Sequence, residues 1–175
     1  YALLEASGYF RNELTGDESE GVITLNALTD LSNRKDVNIN LLTHLEYERV
    51  LYLVGTGLSV KKAKKQAETE ILSAFGIQGD FANSEDLDIF SEGDGNAALL
   101  AISVLMLYEP EDDEYDDDDG TEARLTELLT KFAIDIEKDG KWDDEKTKVE
   151  MADWVQEGDR YDIDDARRHM EEWNL

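Results

Sequence analysis

Apolar residues recur along this chain in three rhythms, and each predicts a different kind of element. Between Asn38 and Val54 they fall on every side of a helical wheel. Tyr47, Val50, Leu51 and Val54 make one stripe, Leu41, Leu45 and Tyr52 a second, and Leu42 and Leu53 a third. A helix apolar all round is a buried helix, so other elements must surround it. Its polar residues, His44, Glu46, Glu48 and Arg49, must then point through gaps or pair with one another. Ala97–Tyr108 repeats this rhythm behind an Asn96 cap, and is expected beside the first helix.

The second rhythm is a single stripe at helical spacing, the mark of a surface helix facing a core. It appears in Val60–Phe75 (Val60, Ala63, Ala67, Ile71, Phe75), with Ser59 as N-cap and Lys61, Lys62, Lys64 and Lys65 on the outer face. Four lysines in the first turns oppose the helix dipole, so carboxylates from elsewhere should compensate them. The same rhythm runs through 122–137 (Leu125, Leu128, Leu129, Phe132, Ile136), 143–157 (Val149, Ala152, Val155) and 163–174 (Ile163, Ala166, Met170, Trp173). The third rhythm is partial alternation. Tyr1–Phe10 and Val22–Asp30 flank Thr15–Gly21, which predicts a β-hairpin with a long loop. Gly76–Gly95 reads as a bridge with a short turn at Ser84–Asp88, and Glu109–Asp119 as a solvated acidic loop.

Together these elements predict a mainly α fold: a multi-helix domain over 38–175 around two buried helices, preceded by a β-hairpin segment over 1–37. A two-stranded ribbon is marginal alone, so the hairpin is expected either to lean on the helices or to be the tail of an upstream β-domain.

Composition narrows the function classes. Apolar residues make up 41% of the 175, enough to bury a core. A formal charge of −26 repels phosphate backbones and anionic bilayers, which argues against nucleic-acid and direct membrane partners. Cations, basic surfaces and neutral molecules stay compatible. The absence of cysteine excludes thiol catalysis and zinc–thiolate sites. The chain opens on Tyr1 without a basic, apolar leader, which suggests a processed fragment whose targeting segment lies upstream.

One segment has ligand spacing. In Asp135–Lys146, Asp135, Glu137, Asp139, Gly140 and Asp143 match positions 1, 3, 5, 6 and 9 of an EF-hand loop. Calcium wants clustered oxygens on a tight turn, and the glycine permits that turn. Position 12, normally a bidentate carboxylate, is Lys146; Glu145 stands one residue early. The alternative is an acidic helix–helix turn with Asp143 as the next helix's cap. A second acidic loop offers Asp88, Asp94 and Asn96 as oxygen ligands but fits no ligand spacing, and helix capping by Asp94 or Asn96 is the better reading. Ser59-Val-Lys-Lys62 matches the S-x-x-K of penicillin-interacting enzymes, but the S-D-N and K-T-G partners are missing. His44 and His169 have no recognisable nucleophile beside them. Trp142, Trp154 and Trp173 could offer a sugar-stacking face, although their spacing is that of core residues.

Several runs carry a resemblance: N-I-N-L-L-T-H-L-E-Y-E-R-V at 38–50, A-K-K-Q-A-E-x-E-I-L-x-A-F-G-I at 63–77, N-S-E-D-L-D-I-F at 83–90, G-D-G-N-A-A-L-L-A-I-S-V-L at 93–105 and D-G-K-W-D-D-E at 139–145. They resemble a paralogous set of uncharacterised lipoproteins from Fibrobacter-type fibre-degrading bacteria. The resemblance implies a secreted or outer-membrane-anchored location, through a lipid anchor upstream of this chain, and assigns no catalytic residue. The expected function is a non-enzymatic cell-surface module that binds or scaffolds a protein or carbohydrate partner. A calcium-dependent interaction module using Asp135, Glu137, Asp139, Asp143 and Glu145 is the alternative, and a polysaccharide-active enzyme the third.

Overall fold

A computed structural model describes residues 1–109, 120–156 and 163–173; the acidic run expected at 109–119 lies, apart from Glu109, outside the described residues. The chain opens with strands β1 (Ala2–Gly8) and β2 (Ile23–Thr29), paired antiparallel from Ala2 opposite Thr29 to Gly8 opposite Ile23. Among the described residues six helices follow: α1 (Leu41–Gly55), α2 (Val60–Ala74), α3 (Asp94–Met106), α4 (Thr121–Ile136), α5 (Glu145–Gln156) and α6 (Ile163–Trp173). A 3-10 turn at Ser84–Asp86 divides the bridge between α2 and α3. The fold is thus mainly α with an N-terminal hairpin, as the rhythms predict.

α1 starts where Asn40 caps it. Asn40 Oδ1 accepts from Thr43 N–H and Thr43 Oγ1 accepts from Asn40 N–H, both at 3.0 Å, a reciprocal capping box. Its core-facing residues Leu42 and Leu45 join Ile71, Leu99, Ile102 and Phe132 in one cluster. Val50 and Leu53 join Leu28 of β2 and the small Ala63 and Ala67 of α2 in another. The hairpin leans on the helices through β2, whose Ala27 and Leu28 are buried, while β1 forms the outer edge with Leu3 59% exposed.

Several expectations are corrected. α1 does not bury all sides equally: Tyr47, Leu51 and Val54 are only half-buried, and Glu46 and Arg49 share the buried face. These two pair with α2 rather than with each other. Arg49 forks onto Glu70 (2.7 and 3.0 Å) and donates to the Glu137 and Lys138 carbonyls at the end of α4. Lys64 turns inward instead of joining the outer face. In α5 the buried residues are Thr147, Met151 and Trp154, and Val149, expected inside, is 56% exposed. The stripe is out of phase because Trp154 buries more apolar area than Val149 or Val155 can. Gly93 rather than Asn96 precedes α3; Asn96 Oδ1 accepts from Asp88 N–H at 2.9 Å. Ser59 makes no side-chain capping bond.

Candidate functional site

The chain between the strands folds as a small unit. Asn12 Oδ1 accepts from Leu14 and Thr15 N–H, and Gly16 N–H donates to the Asn12 carbonyl. Gly16 takes φ +80°, where a side chain would be strained, and its Cα faces the His169 ring so closely that a Cβ would clash. His169 Nδ1–H donates to the Glu13 carbonyl at 3.1 Å, which ties α6 to this connection.

Between the connection, β2, α3 and α4 lies a cleft of about 630 Å³. Its walls are mainly apolar: Ile23 and Leu25 from β2, Leu99 from α3 and Leu107 just past its end, Phe10 from the connection and Phe90 from the bridge. Most of its polar groups are spent on structure. Asn38 and Asn40 donate to the Leu87 carbonyl, and both Asp88 oxygens accept within their own loop, from Phe90 N–H and the Ser91 hydroxyl. Glu13 is different. Only 9% exposed, it faces the cleft with its own backbone N–H as its hydrogen-bond donor, and no cation among the described residues pairs with it. Burial without a counter-charge pushes its carboxyl up to about 7. Arg11, also on the cleft, lies over the Trp173 ring at 5.6 Å instead.

A second buried carboxylate, Glu46, shows the contrast. Lys64 Nζ donates to Glu46 Oε1 (2.7 Å) and to the Leu28 carbonyl (2.8 Å), and stands 3.0 Å from Glu85 Oε2. That last contact is an ion pair outside hydrogen-bond geometry, so Glu85 Oε2 keeps no hydrogen-bond donor. Glu85 Oε1 accepts from Thr29 Oγ1 (2.9 Å), and Arg34 lies 3.4 Å away. Burial raises Glu46 to about 7, against the pull of Lys64. Burial would lower Lys64, but its two carboxylates outweigh that and hold it above its ordinary value. The two directions agree physically. One ammonium serves two carboxylates, so its pull on Glu46 offsets that group's burial only in part.

The expected calcium ligands are not gathered. Asp135 Oδ2 accepts from Asp143 and Asp144 N–H, Asp139 Oδ1 from Lys141 N–H, and Glu145 pairs with Lys148 at 2.9 Å. Glu137 offers its backbone carbonyl to Arg49. Asp144, not Asp143, caps α5, accepting from Thr147 N–H and its hydroxyl. Among the described residues no three carboxylate or histidine side chains stand as a metal-holding group. His44 accepts from Asn26 N–H through Nδ1 and lines a separate pocket of about 290 Å³, where burial lowers its pKa and keeps it neutral. Trp142 packs against Phe75 and Phe132 at 5.4 and 5.1 Å, and Trp154 is buried, which leaves Trp173 on the cleft. Among the described residues no helix is long and apolar enough to cross a membrane.

No family model, curated protein or solved structure matches this chain. Fold and site therefore define only a class, a mainly α protein with an N-terminal hairpin and an apolar cleft at their junction.

Proposed function

We propose that this chain is a non-enzymatic binding module whose ligand places an apolar body in the cleft at the junction of hairpin and helices. The carrying observation is the cleft's combination of apolar walls with mostly spent polar groups, beside which Glu13 stands as a buried carboxylate that no cation among the described residues pairs with. Pockets that are mainly apolar with a few convergent polar groups are the usual form of small-molecule sites. Presentation at the cell surface is part of the proposal and is supported by the resemblance to anchored lipoproteins alone. Calcium dependence is supported only by the spacing of Asp135, Glu137, Asp139, Asp143 and Glu145.

A neutral solvatochromic dye titrated by fluorescence tests the cleft. Ser103→Phe, which fills the α3 wall, and Phe90→Asp, which makes the rim polar, should each weaken binding by about tenfold or more, equivalent to about 1.4 kcal/mol. Binding unchanged in both variants would remove the cleft as the site.

A second reading has one observation in its favour. A carboxylic acid raised toward neutrality in an aromatic-lined cleft is how a general acid of a glycan-cleaving enzyme is made. Release of reducing ends from a polysaccharide, abolished in Glu13→Gln, would establish it.

A further inference from the structure

Resting on the cleft as the binding site, we propose that its ligand carries a protonated amine, seated against the Glu13 carboxylate, with its hydrocarbon body along the β2 and α3 walls. Glu13 is nine-tenths buried and stands on an apolar cavity. An unpaired buried charge is costly, and it is relieved by a counter-charge or by a proton. The chain supplies no counter-charge among the described residues, although candidates stand nearby. Arg11, two positions away, stacks on Trp173 beyond ion-pair reach of Glu13. His169 spends Nδ1 on the Glu13 backbone carbonyl rather than on its carboxylate. Lysines that pair with carboxylates elsewhere, such as Lys64, are committed to other partners.

The sign of the ligand follows from the surroundings. A net charge of −26 raises the local concentration of cations and repels anions, at the cleft mouth as elsewhere. An anionic ligand would have to overcome that field for one exposed guanidinium, Arg11. A cationic ligand gains both the field and an ion pair in a site partly shielded from water, where Coulomb attraction is several-fold stronger than in bulk. The other charged groups around Glu13 do not reverse this. The connection adds Arg11 and, across an isolated bridge, Glu18; α6 adds His169; the bridge segment adds Asp88. From β2, α3 with its C-cap, and α4 the cleft receives only uncharged residues, Ile23, Leu25, Leu99, Ser103, Leu107 and Leu125.

The test titrates the whole chain with three probes of one chain length: octylamine, octanol and octanoate, each displacing the neutral dye. At about pH 8, octylamine should bind about tenfold or more tighter than octanol, and octanoate more weakly than octanol. The amine preference should fall about tenfold between about pH 8 and about pH 6, because the ionised fraction of a carboxyl near 7 falls by that factor. Glu13→Gln should erase the preference and its pH dependence while octanol and dye still bind. If octanol and dye bind the wild type but the amine gains nothing, the amine assignment fails and the cleft stands. If the preference survives in Glu13→Gln, it belongs to the diffuse acidic field and the assignment to Glu13 is overturned. If neither dye nor any probe binds, the cleft itself fails as a site.

Discussion

Glu13→Gln should make this protein more stable at alkaline pH and change little below about pH 4.5. The amide keeps the shape of the side chain and removes only its ability to ionise. Glu13 sits at about 7 in the folded chain against an ordinary 4.5, so folding binds a proton that the unfolded chain lacks between those values. Stability is therefore fully present below the lower value and is lost as pH rises through the upper one. A shift of that size corresponds to about 3 kcal/mol of penalty above the upper value, at about 1.4 kcal/mol per pKa unit. Water entering the open cleft reduces it, so the figure is an upper bound. Between about pH 5.5 and about pH 8 the wild type should lose about 2 kcal/mol that the variant keeps. For a chain of this length, that is a Tm difference of about 4–8 °C. Urea unfolding of both proteins at the two pH values measures it. A Glu13→Gln variant less stable than wild type at the higher pH, or an offset independent of pH, would refute the placement of an uncompensated carboxylate.

Lys64→Met strands Glu46 and Glu85 without their shared ammonium and should cost about 3–5 kcal/mol in urea unfolding, more above pH 7 than below, with part regained on adding Glu46→Gln. A loss under about 1 kcal/mol would place Lys64 outside the interior. Gly140→Ala puts a side chain at φ +75° and against the Glu70 carboxylate that Arg49 holds, so it should lower stability by about 1–3 kcal/mol; a neutral or higher Tm would mean this turn is relaxed. Calorimetric titration with calcium should give no saturable heat, because Asp135 is bonded to backbone N–H groups and position 12 is Lys146; a saturating isotherm lost in Asp139→Asn would reverse that.

The fold was legible where one periodicity carried it. Of the stripe Leu125, Leu128, Leu129, Phe132 and Ile136, all but the half-buried Leu128 are buried as its spacing predicts, and the alternation of 1–10 and 22–30 does form a hairpin. Legibility failed where two faces competed. On α1, Glu46 and Arg49 break the apolar pattern, yet they lie on the buried side because α2 brings Lys64 and Glu70 to meet them. Period alone cannot show this, since the partners lie 18 and 21 positions away. On α5 the valines carried the pattern, but the larger Met151 and Trp154 took the interior. Glu13 left still less trace. Its neighbours Asn12, Thr15 and Gly16 spell a solvated turn, and the contact that ties its backbone to α6 comes from His169, 156 positions away. The one local hint is that Phe10 and Leu14 flank it, apolar residues that a fully solvated turn would not need.

Glu46 and Glu13 share a burial, a direction of shift and nearly a value, yet their surroundings assign them different work. Glu46 has an ammonium at 2.7 Å and a hydroxyl, from Ser84, at 3.2 Å. Its oxygens are answered from α2 and the 3-10 turn, so its charge joins three elements and its role closes within the chain. Such a group needs nothing from solution. Glu13 is nearly as buried, but it lines a mainly apolar cleft and no cation among the described residues pairs with it. If Glu13 served only the fold, glutamine there would serve better at every pH above its titration. A carboxylate kept at a cost to the fold is what a binding group looks like, since strength withheld from the folded chain is available to a ligand.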